Sequence, residues 1–217
     1  MTDLTPSRRH VLKWTGVAAT LAIAGTVLPN FGISEALAAD LGSGDTGILN
    51  YAYALEQLEA AFYTQAVKTP YSGITKAELA TLTAIRDHEI AHRQFLKKAL
   101  GKKAIPSLEV DFSKIDFTSK KSVLGTADVF ENLGVAAYNG AGQLIKNVAY
   151  LAAAGSIVSV EARHTAAIAE LIGGANAKAA GEGHVDMKGL DEALSPGDVL
   201  PKAAPFIKTP VTANSLA

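Results

Sequence analysis

The chain has 217 residues, 48% of them apolar, and it contains no cysteine. This length suits one well-packed domain, and the lack of cysteine excludes a fold built on disulfide bonds. The formal net charge of −1 is nearly balanced, which argues against nucleic acid as a partner and against a basic face for an anionic membrane. Few aromatic residues and abundant alanine favour closely packed helices over a sheet.

The N-terminal segment has the features of an export signal. Residues 7–13, SRRHVLK, resemble the twin-arginine signal, with Val11 where an aromatic residue is more usual. An apolar run over residues 14–28 is too short for a comfortable membrane span, and residues 36–38 form a small-x-small cleavage pattern. We therefore expect a twin-arginine signal peptide over residues 1–38, a periplasmic or otherwise exported protein, and no stable membrane span after cleavage. An uncleaved N-terminal anchor is the alternative.

Helical patterns occupy most of the remaining chain. After a linker at residues 39–45, a first helix is predicted from about 46 to 69 and a second from about 75 to 100. The second begins with TKAE, the sequence of a capping box. A third helix is predicted over about 122–147 and a fourth over about 148–171. Short loops within each pair indicate two antiparallel helical hairpins.

The segments outside these helices have simpler expected roles. Residues 102–121 form one long connection with spaced apolar residues. A strand without a partner strand is improbable there, so we interpret the segment as a crossover packed along a bundle. Residues 174–217 are expected to form a C-terminal tail with a short helix, packed on the outside of the bundle.

The glycines of the predicted third helix include Gly134, Gly140 and Gly142. Glycine disfavours a helix interior by about 1 kcal/mol relative to alanine, so its repeated use requires a reason. Two explanations are open at this point: close approach of neighbouring helices, or a local kink near Gly140 that shapes a pocket.

The candidate site residues of the chain lie in an internal duplication. Residues 56–63 read EQLEAAFY and residues 131–138 read ENLGVAAY, with matching positions separated by 75 residues. Residues 89–92 read EIAH and residues 161–164 read EARH, separated by 72 residues. Two pairs of motifs at matched spacing indicate that one helical hairpin has been duplicated.

Helix geometry predicts that these motifs meet. Glu and His three residues apart lie on one face of a helix. Glu56 and Glu89 each lie about 20 Å along their helices from the same turn, and the second hairpin is balanced in the same way. The residues expected to converge are Glu56, Glu89, His92, Glu131, Glu161 and His164. Four ionised carboxylates in an apolar interior would repel one another, and two divalent cations would neutralise them.

One Glu from each of two helices and Glu-x-x-His from each of the other two is the pattern of di-iron and di-manganese carboxylate bundles. The chain therefore resembles the ferritin-like superfamily. The amino-acid sequence at residues 49–63, 134–140 and 160–164 is similar to that of the ferritin-like domain family that includes desiccation-related proteins. The resemblance covers residues 46–173 and implies an all-α, ferritin-like antiparallel four-helix bundle with a long crossover between helices 2 and 3.

The resemblance also implies a site for two Fe or Mn ions. Glu56 and Glu131 would be terminal ligands, Glu89 and Glu161 would bridge the ions, and His92 and His164 would bind one ion each. Tyr63 and Tyr138 are candidates for hydrogen bonds to a ligand of the opposite half, with core filling as the alternative. The weaker candidates, expected at a rim or on the surface, are Glu59, His88 and Asp128.

Such ligands suit redox chemistry with dioxygen or peroxide, and they accept Fe or Mn alike. The first hypothesis is an exported dinuclear metalloprotein with oxidase, ferroxidase or peroxide-removing activity. The alternative is a non-catalytic stress or desiccation-related envelope protein with a structural or vestigial metal site. A ferritin-type storage cage is less well supported, because the chain ends in a Pro-rich tail. An oligomer is compatible with either hypothesis.

Overall fold

Four long helices dominate the computed structural model, which describes residues 38–213, 215 and 216. They are α1 Gly44–Lys68, α2 Lys76–Leu100, α3 Lys120–Gly142 and α4 Val148–Gly173. The predicted four-helix bundle is confirmed, and almost no sheet accompanies it. Residues 1–37 of the expected signal peptide lie outside the described residues. Within the described part of the chain, no helix combines the length and the apolar character that a membrane span requires.

Helix α1 forms the centre of the bundle. Its large side chains are buried on every side, among them Tyr51, Tyr53 and Phe62, because a helix that is apolar all round is stable only inside a core. The other helix of its hairpin, α2, buries a single stripe that includes Leu82, Ile85 and Glu89. Glutamates on such buried stripes therefore point into the bundle.

Helix ends follow local signals in the sequence. Thr75 accepts a hydrogen bond from the Glu78 backbone N–H, and the Glu78 carboxylate accepts one from the Thr75 backbone N–H, so the predicted capping box is present. The predicted end of α3 near residue 147 is wrong, since the helix stops at Gly142. Asn147 instead caps α4 by accepting a hydrogen bond from the Ala149 backbone N–H.

The long connection between α2 and α3 includes a 3₁₀ turn, Gly101–Lys103, followed by mostly irregular chain. Our interpretation of this segment as a crossover agrees with the structure, in which Val110 forms an isolated antiparallel bridge with Ile207 of the tail and no described strand lies between α2 and α3. The apolar residues of the crossover therefore contact both the bundle and the tail.

The C-terminal segment contains α5, Pro196–Ala203, whose N-cap is Ser195, and a 3₁₀ turn at Ala204–Phe206. It ends in a two-residue strand, β2 Val211–Thr212, which pairs in parallel with β1 Ala39–Asp40. The tail thus packs along the bundle and returns to the beginning of the described chain.

Neither explanation considered above applies to all three glycines. Helix α3 is uninterrupted over these positions, and each glycine has different neighbours. A Cβ at Gly140 would lie 1.9 Å from the Leu194 carbonyl oxygen, so this glycine admits the tail and not a helix. A Cβ at Gly134 would lie 3.2 Å from Glu59 Oε1, so that glycine leaves room for a carboxylate. A Cβ at Gly142 would meet only ordinary contacts.

Candidate metal centre

All six residues singled out from the duplication meet in the middle of the bundle. Glu56 comes from α1, Glu131 from α3, and the two Glu-x-x-His pairs from α2 and α4. The four glutamates are 0% exposed, and the His92 side chain, at 12%, is the most accessible of the six. The described structure therefore places four carboxylates and two imidazoles in one buried cluster.

The atoms of the cluster divide into two groups that could each hold one ion. The first, called position 1, consists of Glu56, Glu89, His92 and Glu161, and the second, called position 2, consists of Glu89, Glu131, Glu161 and His164. Within each group one nitrogen or oxygen from every residue lies within 4.8 Å of all the others. Glu89 and Glu161 belong to both positions.

Distances around the imidazoles show how the shared carboxylates are divided. His92 Nδ1 lies 2.9 Å from Glu161 Oε1 and 3.5 Å from Glu89 Oε2. His164 Nδ1 lies 2.8 Å from Glu89 Oε1 and 3.7 Å from Glu161 Oε2. Each shared carboxylate therefore presents one oxygen to position 1 and the other to position 2, which is the arrangement of a bridging ligand.

The terminal glutamates complete the two groups. Glu56 Oε2 lies 3.5 Å from His92 Nδ1, and Glu131 Oε2 lies 3.3 Å from His164 Nδ1. Ligand atoms about 2.1 Å from one ion and at right angles to each other are about 3 Å apart. The observed separations are close to this value, so the donor atoms are spaced as they would be around ions.

Hydrogen bonding provides a second test of whether the residues fit metal ions. Buried polar atoms are normally hydrogen-bonded, because an unpaired one is destabilising. Of ten buried side-chain atoms without a partner among the described residues, eight belong to this cluster. They are Glu56 Oε2, both oxygens of Glu89, His92 Nδ1, Glu131 Oε2, both oxygens of Glu161 and His164 Nδ1. These are the same eight atoms that face the two positions, so the donor set fits a pair of cations.

The remaining oxygens of the terminal glutamates bind tyrosines. Tyr138 donates a hydrogen bond to Glu56 Oε1, and Tyr63 donates one to Glu131 Oε1, both at 2.5 Å. Each tyrosine thus holds a glutamate of the opposite half, which is one of the two alternatives that the sequence leaves open. Both tyrosines are buried, and burial is the main cause that raises the pKa of each hydroxyl.

The carboxylates and imidazoles shift each other's protonation. Burial, together with the charges of Glu161 and Glu89, raises the pKa of Glu131 to about 8. Burial would also raise the pKa of Glu89, but the neighbouring imidazoles of His164 and His92 lower it to about 2. Burial would lower the pKa of both imidazoles, yet the surrounding carboxylates raise each to about 12. Protons therefore occupy the cluster when no cation does.

The predicted position of Glu59 at a rim or on the surface is wrong. It is only 4% exposed, and burial followed by the charge of Glu161 raises its pKa well above the ordinary value. Asp128 is half-buried and accepts a hydrogen bond from Asn132, as a rim residue would. The signal that could have revealed Glu59 is its place one turn after Glu56, on the same face of α1.

His88 is exposed, yet it contacts the cluster. Its Nδ1 lies 2.9 Å from Nε2 of His164, and the two rings are stacked. Because His164 presents Nδ1 to position 2, a proton on Nε2 would be donated to His88. His88 therefore helps to fix the orientation of His164.

Comparison with protein families agrees with this geometry. The model of the Ferritin-like domain family matches residues 44–174. The chain belongs to the ferritin-like domain family. A search of curated proteins found no match to the chain. The match spans all four long helices and every residue of the two positions, so the duplicated hairpins and the buried cluster belong to the same ferritin-like domain.

Proposed function

We propose that this ferritin-like protein binds a pair of Fe or Mn ions in its buried centre and oxidises a small substrate with dioxygen or peroxide. The observation that carries the proposal is the set of eight buried nitrogen and oxygen atoms without hydrogen-bond partners. Glu89 and Glu161 would bridge the ions, whereas Glu56 with His92 and Glu131 with His164 would complete positions 1 and 2. When bound, Fe or Mn ions supply redox chemistry toward dioxygen or peroxide.

The protein would orient the ligands of the ions and keep bulk water away from them. Tyr63 and Tyr138 each hold one oxygen of a terminal glutamate and leave the other for an ion. Four protein donors at each position leave room for a small exogenous ligand, since Fe and Mn accept more than four. The apolar surroundings exclude bulk water and strengthen the attraction between the carboxylates and a cation.

An apolar cavity beside the centre favours a small, uncharged molecule as the oxidant. The cavity lies between the four helices and is lined by side chains that include Leu55, Ile157 and Tyr138. Tyr138 also binds Glu56, so the cavity and position 1 share a wall. A molecule such as dioxygen partitions into an apolar space of this kind more readily than an ion does.

Metal content and turnover test the proposal. Protein purified from the compartment in which it accumulates should contain close to two Fe or Mn ions per chain. The Glu161→Gln variant should lose most of that metal, because one bridging carboxylate serves both positions. Rates of Fe(II) oxidation and peroxide removal should rise with metal content. Well under one ion per chain, unchanged by Glu161→Gln, would exclude the proposal.

A non-catalytic stress or desiccation-related envelope protein is the second candidate. The observation in its favour is the closure of the centre, since all four glutamates are fully buried. In that case added metal would raise the melting temperature while Fe(II) and peroxide turnover stayed at background. Turnover that His92→Ala abolishes in a folded protein would exclude this candidate.

Export is proposed from the N-terminal sequence alone. The Arg8–Arg9 pair, the apolar run and the cleavage pattern support a twin-arginine signal and a periplasmic location. Replacing both arginines by lysine should leave the precursor inside the cell, as fractionation and the mass of the N-terminus would report. Normal export of that double variant would contradict a twin-arginine signal.

A further inference from the structure

The duplicated centre contains an unexplained fifth carboxylate. Glu59 is 4% exposed, and the side chains with the largest electrostatic effect on it are Glu161, Glu89, Glu131 and Glu56, all of them carboxylates. No described residue forms a salt bridge with it. A buried carboxylate among other carboxylates is destabilising unless a cation or a proton compensates its charge.

Glu59 breaks the symmetry of the duplication. At the offset of 75 residues that relates Glu56 to Glu131, the counterpart of Glu59 is Gly134. A Cβ at Gly134 would lie 3.2 Å from Glu59 Oε1 and 3.6 Å from Glu161 Oε2. The missing side chain in one half therefore provides the space that the extra carboxylate of the other half occupies.

The carboxylate of Glu59 lies on the side of position 2. Glu161 Oε2, which shares the space beside Gly134, is the oxygen that Glu161 presents to position 2. A small cavity lined by Glu59, Leu133 and Gly134 adjoins the carboxylate. Glu59 lies outside the group of donor atoms within 4.8 Å of one another at position 2, so its side chain would have to turn to reach an ion there.

A second asymmetry points the same way. His88 contacts Nε2 of His164, a residue of position 2. At the offset of 72 residues that relates His92 to His164, the counterpart of His88 is Val160, which has no polar group to offer His92. Both additional polar groups, Glu59 and His88, come from the first hairpin and are placed at position 2.

We infer that Glu59 is a further ligand of position 2, and that position 2 therefore binds a divalent cation more tightly than position 1. The inference rests on the proposed binding of two ions, and it makes the two halves of a duplicated centre functionally unequal. The ion at position 2 would be retained, whereas the ion at position 1, beside the partly exposed His92, would exchange more readily.

Partial loading with Mn(II) tests the inference without measuring activity. Full-chain protein stripped of metal would be crystallised with one equivalent of Mn(II), and the anomalous signal would be compared at the two positions. We expect at least a several-fold higher occupancy at position 2, and two separated binding steps in calorimetric titration. Equal occupancy of the two positions in the wild-type protein would overturn the inference.

A matched pair of variants assigns the effect to Glu59. Glu59→Gln keeps the shape of the side chain but removes its charge, and we expect the tighter Kd to rise by about tenfold or more while the weaker Kd is unchanged. Asp128→Asn removes a half-buried carboxylate of α3 outside the two positions and should change neither Kd. Equal weakening of both steps by Glu59→Gln would overturn the ligand role. Absence of Mn(II), Fe(II) and Co(II) binding by the wild-type protein would instead reject the proposed function itself.

Discussion

At the scale of single residues, the two oxygens of each terminal glutamate have different partners. Oε1 of Glu56 and of Glu131 accepts a hydrogen bond from a tyrosine, and Oε2 faces the ion positions. A carboxylate held in this way offers an ion one oxygen instead of two. The tyrosines would therefore limit the number of protein donors to an ion at each position and leave space there for an exogenous ligand.

Replacing one tyrosine should weaken one position only. In Tyr138→Phe, Glu56 loses the hydrogen bond that orients it, and we expect the Mn(II) affinity of position 1 to fall by about tenfold. Tyr63→Phe is the matched variant and should affect position 2 in the same way. Calorimetric titration of both proteins checks the prediction, and unchanged affinities in both would show that the tyrosines merely fill the core.

Protonation of Glu131 should make the stability of the metal-free protein depend on pH. The folded-state pKa of about 8 exceeds the ordinary value of 4.5, so the folded protein binds more protons than the unfolded chain between these values. This contribution is complete below pH 4.5 and is lost as the pH rises toward 8. Glu89 acts in the opposite direction but at lower pH, because its pKa is lowered to about 2.

Melting temperatures of chelator-treated protein between pH 5 and pH 8 test this prediction. We expect the wild-type protein to lose stability with rising pH relative to Glu131→Gln, whose amide does not titrate. Added Mn(II) should reverse the trend, because ligands must lose their protons before they bind a metal. A wild-type protein that gains stability relative to Glu131→Gln over this range would contradict the prediction.

At the scale of helices and strands, two glycines of α3, Gly134 and Gly140, leave space for neighbouring groups to pack closely against the helix. Gly140 lies against the Leu194 backbone, and the Leu194 N–H donates a hydrogen bond to the Ala136 carbonyl oxygen. The tail is therefore fixed to α3 through backbone contacts that leave no space for a methyl group. This contact explains why α3 tolerates a poor helix former at this position.

Gly140→Ala should destabilise the protein although alanine favours helices. The added Cβ would meet the Leu194 carbonyl oxygen at 1.9 Å, so the tail must move, at a cost of about 1–3 kcal/mol in the free energy of unfolding. Gly125→Ala is the control on the same helix, because its Cβ would meet nothing within 4 Å, and it should stabilise the protein by about 1 kcal/mol. Urea unfolding of both variants measures the difference. Equal stabilisation by both would show that the tail does not pack tightly on α3.

The sequence predicts most of these elements, and its errors have physical causes. Three long helices and the capping box at Thr75 follow from periodicity and local signals, and the duplication predicts the convergence of all six residues. The position of Glu59 one turn after Glu56 is a signal of its burial, but a weak one, because a charged residue there is more often exposed. The pairing of Val110 with Ile207 joins segments distant in sequence, and no local pattern predicts such a contact.

At the scale of the whole molecule, the centre joins the two hairpins. Each position takes residues from both halves of the duplication, because Glu89 of α2 and Glu161 of α4 belong to both positions. The carboxylates repel one another without cations, whereas cations attract all four helices to one point. Metal binding should therefore stabilise the complete bundle and not one hairpin alone.

Added metal should raise the melting temperature of the whole domain in a single transition. At a free Mn(II) concentration of about 100 times Kd, one bound ion contributes about 2.7 kcal/mol, which corresponds to about 5–10 °C for a domain of this size. Glu161→Gln should lose most of this gain, because both positions share that residue. Differential scanning calorimetry with and without chelator checks the prediction, and two separate transitions would contradict a centre that couples the hairpins.

The parallel pairing of β1 with β2 sets a condition on the order of folding. The Ala39 N–H donates a hydrogen bond to the Pro210 carbonyl oxygen, and the Leu41 N–H donates one to the Thr212 carbonyl oxygen. These bonds join residues at the two ends of the described chain, so they cannot form before synthesis has passed residue 212. Docking of residues 39–41 therefore marks a chain whose helices have all been made, and protection of these amides from hydrogen exchange would report the completed fold.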